Sequence, residues 1–205
     1  MISSFRTSFQ LGLIGFCLWL SATPLLLGQQ IANPSSSTIQ VHSLGDAKPK
    51  PWTSLNISRS ERDFQFAVVS DNAGTPRPGI WREAMNKINL LQPAFVMSVG
   101  DLIEGYVDSA DQLNKQWDGF LSDLAPLQLP FFFVAGNHDV GRPLWYDVYR
   151  QRIGPTWYYF IYQDVLFLIL DTNDGPEHST GISDQQIAWI EEVLKKVPLA
   201  RFDGR

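Results

Sequence analysis

The chain has 205 residues, of which 44% are hydrophobic and 18% are charged, and its formal net charge is −5. This composition is that of a globular protein with enough apolar residues for one core, so it excludes a largely disordered chain. The 16 Lys and Arg residues form no basic block, which argues against a nucleic-acid-binding patch.

Residues 1–28 have the outline of a secretory signal peptide. Arg6 is the one charge of a short polar start, and the uncharged apolar run LGLIGFCLWLSATPLLL follows it. That run is short for a membrane span, which needs about 20 residues, and Pro24 interrupts it. We therefore expect an exported protein, periplasmic or extracellular, without a stable membrane span after the signal is removed. An uncleaved membrane anchor is the alternative.

Residues 29–62 are rich in Ser, Pro, Gln and Lys, as in ANPSSSTIQ and DAKPKPWTS. Such a composition is typical of a linker or an irregular arm. We predict that the arm precedes a single domain that spans residues 63–205.

From Phe64 onwards, strand and helix patterns alternate. The predicted buried strands are FQFAVVS (64–70), AFVMSV (94–99) and LPFFFVA (129–135). Apolar residues at helical spacing separate them: first Trp81, Ala84, Ile88 and Leu91, then Leu113, Trp117, Phe120, Leu121 and Leu124. This order predicts an α/β fold with a parallel sheet and right-handed crossovers.

The next segment reads as a hairpin followed by a helix. WYYFIY (157–162) and VLFLILD (165–171) are predicted to pair across a turn at Gln163 and Asp164. Ser183 and Gln186 have the spacing of a capping box, so a helix is expected to begin there. Its apolar face would carry Ile187, Ile190, Val193, Leu194 and Val197.

Polar residues follow each of the three parallel strands directly. Asp71 follows the first strand, Asp101 the second, and Asn137, His138 and Asp139 the third. Ligands of parallel sheets bind at the carboxyl ends of strands, so we expect these side chains to meet in one crevice. Carboxylate and amide oxygens with an imidazole nitrogen suit a divalent first-row metal. Two close carboxylates would also repel each other without a cation.

Each of these residues has an ordinary structural explanation when it is taken alone. Asp71 can cap a helix or form an Asx turn. Asp101 after Gly100 and Asn137 after Gly136 are common turn pairs, and His138 alone is compatible with a solvated loop. Only their order and spacing together favour a site.

The order D-x-x-G, then G-D, then G-N-H-D resembles the calcineurin-like metallophosphoesterases of the purple acid phosphatase-like superfamily. The resemblance runs from about Phe64 to Val197. It implies an α/β fold in the form of a four-layer αββα sandwich, with two mixed sheets flanked by helices. It also implies a hydrolase that acts on a small phosphate ester, either a phosphomonoester or a phosphodiester.

The resemblance further implies a role for each polar residue. Two divalent metal ions, Mn, Fe, Zn or similar, would share a hydroxide that attacks phosphorus. Asp71 corresponds to a ligand of the first ion, Asp101 to the carboxylate that bridges both, and Asn137 to a ligand of the second. His138 would meet the phosphate and protonate the leaving oxygen. Asp139 would orient His138 and stabilise its charge.

Two departures from the family pattern matter. The family reads D-x-H after its first strand, whereas this chain has Ala73 at the His position, so we expect weaker metal binding there or a different metal preference. The family also takes ligands from later histidines, and His42 and His178 lie in other contexts. We therefore expect a partial domain whose C-terminal portion is missing. The alternative is a catalytically impaired or non-catalytic binding domain.

Two segments are expected to form the walls of the site. They are EGYVDSADQ (104–112) and VGRPLWYDVYR (140–150), both predicted as loops. Their Tyr and Trp side chains either stack on a nucleoside or sugar, or cap the domain.

Overall fold

A computed structural model describes residues 39–42, 48–57, 63–176 and 179–197, with the backbone alone at His42. The segment predicted as a signal peptide, residues 1–28, lies outside this part of the chain. Within the described ranges, no helix has both the length and the apolar character needed to cross a bilayer. The elements are β1 (Gln40–His42), β2 (Ala67–Val69), α1 (Ile80–Leu91), β3 (Val96–Ser98), α2 (Ala110–Leu124), β4 (Phe131–Phe132), α3 (Asn137–Val140), α4 (Pro143–Arg152), β5 (Tyr158–Tyr162), β6 (Val165–Ile169) and α5 (Asp184–Lys196).

The predicted parallel sheet is present. Its strand order is β2-β3-β4, with Ala67 opposite Val96 and Val96 opposite Phe131. Helix α1 connects β2 to β3, and helix α2 connects β3 to β4. The α/β class predicted from the alternating pattern is therefore confirmed.

Helices α1, α2 and α4 cover one face of the parallel sheet. Met85, Leu113, Trp117 and Phe131 are fully buried in the core between them. Leu91 was predicted on the buried face, but it is 75% exposed. It lies about 80° around the helix from Trp81, at about 100° per residue, and in the last turn, where packing against the sheet ends.

The other face of the parallel sheet packs on a second sheet through aromatic rings. This sheet has the order β1-β5-β6 and is antiparallel. Phe132 stacks on Phe160 with ring centroids 4.1 Å apart. The predicted hairpin is confirmed, and both turn residues are left-handed, Gln163 with φ 49° and Asp164 with φ 63°.

The segment predicted as an irregular arm contributes to the fold where the structure describes it. Gln40–His42 forms β1, which pairs antiparallel with β5. Further on, Pro51 accepts a hydrogen bond from the Phe133 N–H at 2.9 Å, and the Trp52 ring lies 5.9 Å from that of Tyr158. The composition of this segment is typical of a linker, and it carries no sign of the strand. The strand forms only because a partner distant in sequence pairs with it.

Helix α5 begins as predicted, with the Ser183 hydroxyl accepting the Gln186 N–H at 3.1 Å. The reciprocal half of the capping box is wrong. The buried Gln186 side chain instead bonds both backbone groups of Asp171, accepting at 2.9 Å and donating at 3.0 Å. The predicted apolar face is only partly covered, because Val193 is buried while Ile187 is 45% exposed.

Candidate active site

The loops that follow β2 and β3 lie side by side. Asp71 and Asp101 both adopt left-handed backbone conformations, with φ of 57° and 56°. The Asp71 N–H donates to the Gly100 carbonyl at 3.4 Å, and the Asn72 N–H donates to the Asp101 carbonyl at 2.8 Å. Asp71 is exposed and accepts a hydrogen bond from the Ser70 hydroxyl. The two strand ends thus present their carboxylates from adjacent turns.

The turns after β3 and β4 are in backbone contact, and this requires glycine. A Cβ at Gly100 would lie 2.6 Å from the Gly136 Cα, and the φ of Gly100 is +100°. A Cβ at Gly136 would lie 2.3 Å from the Asp101 Oδ1 atom. The glycines of the G-D and G-N-H-D motifs therefore let Asp101 approach the third strand end.

We expect Gly100→Ala to lower the free energy of unfolding by about 2 kcal/mol or more, because the added methyl group meets backbone and the φ is strained. Gly119, in the middle of α2, is the matched control, since a Cβ there meets nothing within 4 Å. Gly119→Ala should raise the stability by about 1 kcal/mol. Urea unfolding of both variants measures the difference. Equal stability of the two variants would contradict the close approach.

His138 lies in the short helix α3 and is tied to the second strand end. Its backbone N–H donates to Asp101 Oδ1 at 3.1 Å. Its ring Nδ1 lies 2.7 Å from the Glu104 carbonyl oxygen. A carbonyl oxygen only accepts, so Nδ1 carries the proton and Nε2 is the nitrogen left for proton transfer to a ligand. The structure thus places the candidate acid directly beside a candidate metal ligand.

The hydrogen bonds of Asp139 go to backbone groups, and its action on the imidazole stays a prediction. Its carboxylate is fully buried and accepts backbone N–H groups from Leu102 at 2.9 Å, Ile103 at 3.2 Å and Gly136 at 2.9 Å. Burial raises the pKa of Asp139 to about 7, the Asp101 carboxylate acts in the same direction, and the three N–H groups lower it. Asp139 therefore joins two loops, and the Glu104 carbonyl orients His138.

The oxygen donors available at this edge are Asp71, Asp101 and Asn137. Asn137 begins α3 and is exposed, so its amide oxygen is accessible. Oxygen donors of this kind suit hard divalent cations, so the residues fit such an ion in kind. Ala73 adds no donor. The described part of the chain contains no group of three His, Cys, Asp or Glu side chains arranged to hold a metal.

Sequence reasoning missed the backbone contributions to this site. Glu104 acts on His138 through its carbonyl, and its carboxylate accepts the Gly74 N–H at 2.8 Å. Any residue type supplies a backbone carbonyl, so no sequence signal pointed to the first contact. The segment 140–150 was predicted as a loop that forms a wall of the site, but most of it belongs to helix α4. Pro143 does not prevent the helix, because it stands in the first turn, where proline is tolerated.

Parallel strands that end in carboxylates, an amide and an imidazole define an α/β protein with its polar site at the carboxyl edge of the sheet. The chain belongs to the calcineurin-like phosphoesterase family, whose model matches residues 64–197. Among curated proteins, none gives a significant match. Membership confirms the resemblance carried by the three motifs. It indicates phosphate-ester hydrolysis as the general chemistry, in a family that generally uses divalent metals.

Proposed function

We propose that this protein is a metal-dependent hydrolase of phosphomonoesters or phosphodiesters. Asp71, Asp101 and Asn137 would hold two divalent ions of the Mn, Fe or Zn class, within a four-layer αββα sandwich. One observation carries the proposal: the His138 N–H donates to Asp101 Oδ1, so a candidate acid and a candidate ligand from two neighbouring strand ends are in direct contact. The two facing sheets support the proposed sandwich.

In this proposal, the metal ions, His138 and Asp139 have different roles. Bound metal ions would activate water and neutralise phosphate charge. The Glu104 carbonyl accepts the Nδ1–H of His138 at 2.7 Å, so Nε2 faces the leaving oxygen. In the imidazolium form Nε2 carries a second proton, and this is the proton that His138 would give to the leaving oxygen. Asp139 is a positioning residue, since its carboxylate ties the His138 turn to the Leu102 and Ile103 N–H groups.

A metal titration tests the proposal. After chelation, the protein should hydrolyse a chromogenic phosphate monoester or diester at least about a hundredfold more slowly than with saturating Mn²⁺ or Zn²⁺, as expected when metal supplies the nucleophile. Calorimetry of the same titration, on wild-type protein and on Asp101→Asn, measures metal binding separately from turnover. Loss of turnover and of binding in Asp101→Asn is the expected result.

Other outcomes of the titration have defined meanings. Turnover that persists without metal would contradict the proposed mechanism. Metal binding without turnover of either ester would favour the alternative raised by Ala73, a relative that binds but does not catalyse.

A further inference from the structure

A cavity of about 330 Å³ opens beside the candidate site. Asn137, which is also a candidate metal ligand, lies in its wall together with Tyr106, Arg142, Trp145 and Thr180. Small-molecule sites occupy about 300–1,000 Å³, so this cavity is large enough for one ring system. A phosphate held near Asn137 and His138 would direct the rest of its ester towards this cavity.

Tyr106 is the unusual residue of this cavity. Its φ is +48°, a left-handed conformation that is disfavoured for a bulky side chain. It is also 61% exposed, so burial of its ring does not account for the conformation. The ring centroid lies 4.9 Å from that of His138 and 5.5 Å from that of Trp145. Strained residues of this kind cluster at functional sites.

Arg142 and Trp145 also line the cavity, and both already have partners. The Arg142 guanidinium lies 4.7 Å from the Trp145 ring centroid and pairs with Asp108 at 2.9 Å. The Trp145 Nε1–H donates to the Val107 carbonyl at 2.8 Å. Because Asp108 neutralises Arg142, the wall does not require a second anionic group on the ligand. An uncharged planar ring fits it better.

We propose that this cavity is the leaving-group subsite and that it takes phosphate esters whose alcohol carries a planar aromatic ring, such as a nucleobase, with Tyr106 as the stacking platform. This inference rests on the proposed function, because it assigns specificity to the same site. Tyrosine supplies a rigid apolar face, and every nucleobase offers a π-face to it.

Two substrates that leave through the same primary 5′-oxygen test the subsite. Adenosine 5′-monophosphate carries adenine at C1′, where ribose 5-phosphate carries a hydroxyl group. With saturating Mn²⁺, we expect kcat/KM to favour the nucleotide by about tenfold, the order that stacking of one base supplies. Tyr106→Gly should bring the ratio to about one, and Tyr106→Phe should keep it within about twofold of wild type, since the ring is what matters.

The glycine variant removes the ring and accepts the positive φ, so circular dichroism should show an intact fold. A ratio that Tyr106→Gly leaves unchanged, while both esters are still hydrolysed, would overturn the subsite and leave the proposed function standing. An equal loss on both esters would likewise overturn it, because Tyr106 would then act on His138 alone.

A titration without metal separates the subsite from catalysis. Adenosine, which lacks phosphate, is added to the metal-free protein, and shifts of the Tyr106 and Trp145 ring signals are followed by NMR. Wild type and Tyr106→Phe should bind it, and Tyr106→Gly should bind about tenfold more weakly. If this holds while neither ester is hydrolysed with metal, the proposed function fails and the cavity stands as a site that binds a planar ring. Equal adenosine binding by all three proteins would overturn the subsite.

Discussion

Replacing Asp139 by Ala is expected to lower the free energy of unfolding by about 3 kcal/mol or more, because each buried donor left without a partner costs about 1–3 kcal/mol. The variant leaves the N–H groups of Leu102, Ile103 and Gly136 without an acceptor. In the wild type these groups donate to the carboxylate at 2.9, 3.2 and 2.9 Å. Asp139 is fully buried, so water cannot replace it without opening the loops. Urea unfolding at a fixed pH measures the loss as a lower midpoint.

Two variants make this measurement specific. In Asp139→Asn, the amide oxygen still accepts from Leu102 and Ile103, but an NH₂ group then faces the Gly136 N–H. That one mismatch should cost about 1–2 kcal/mol, less than the Ala variant. Asp123→Ala is the surface control, since it removes a half-exposed pair with Arg82 at 3.4 Å and should cost less than about 1 kcal/mol. Equal midpoints for Asp139→Ala and Asp123→Ala would refute the joining role.

The same Asn variant separates the two roles considered for Asp139. If the carboxylate acted on the imidazole, as the resemblance implied, Asn would reduce kcat with little loss of stability. The hydrogen bonds predict the reverse, because the carboxylate binds backbone N–H groups. Comparing kcat with the unfolding midpoint in one variant decides between them.

The sequence could predict the strand ends because their signals are local. Buried apolar runs end in polar residues at Asp71, Asp101 and Asn137, and parallel strands bring such ends to one edge. That His138 lies against Asp101 follows from the same topology. The hairpin turn at Gln163 and Asp164 could also be predicted, because a two-residue connection between two antiparallel strands has few possible conformations.

What the sequence could not predict depends on backbone groups and on distant pairing. The partner of the His138 ring is a carbonyl, and a carbonyl carries no residue signature. The pairing of Asp139 with His138 was implied by the resemblance alone, and neighbouring side chains in a helical turn point in different directions. β1 was missed because its partner, β5, lies more than a hundred residues away.

Replacing His138 by Ala is expected to lower kcat about 10²–10⁴-fold, the usual contribution of a positioned proton donor. Stability and metal affinity should change little. The bond to Asp101 Oδ1 comes from the backbone N–H of residue 138, and alanine retains that donor. The variant therefore removes the imidazole while Asp101 keeps its place. Steady-state assays with saturating metal, together with calorimetric metal titration, measure the two quantities separately.

Comparing two leaving groups shows whether His138 acts as a proton donor. A nitrophenolate leaves without a proton, whereas an alkoxide needs one, so removal of an acid should slow an alkyl phosphate more than a nitrophenyl phosphate. His42→Ala, on strand β1 of the other sheet, is the matched histidine control and should keep kcat within about twofold, because that sheet carries none of the candidate site residues. Equal losses on the two esters would mean that His138 binds the phosphate without protonating the leaving oxygen. Because the Glu104 carbonyl accepts the Nδ1–H, the proton that the imidazolium of His138 can give is the one on Nε2, and the unequal loss is the expected outcome.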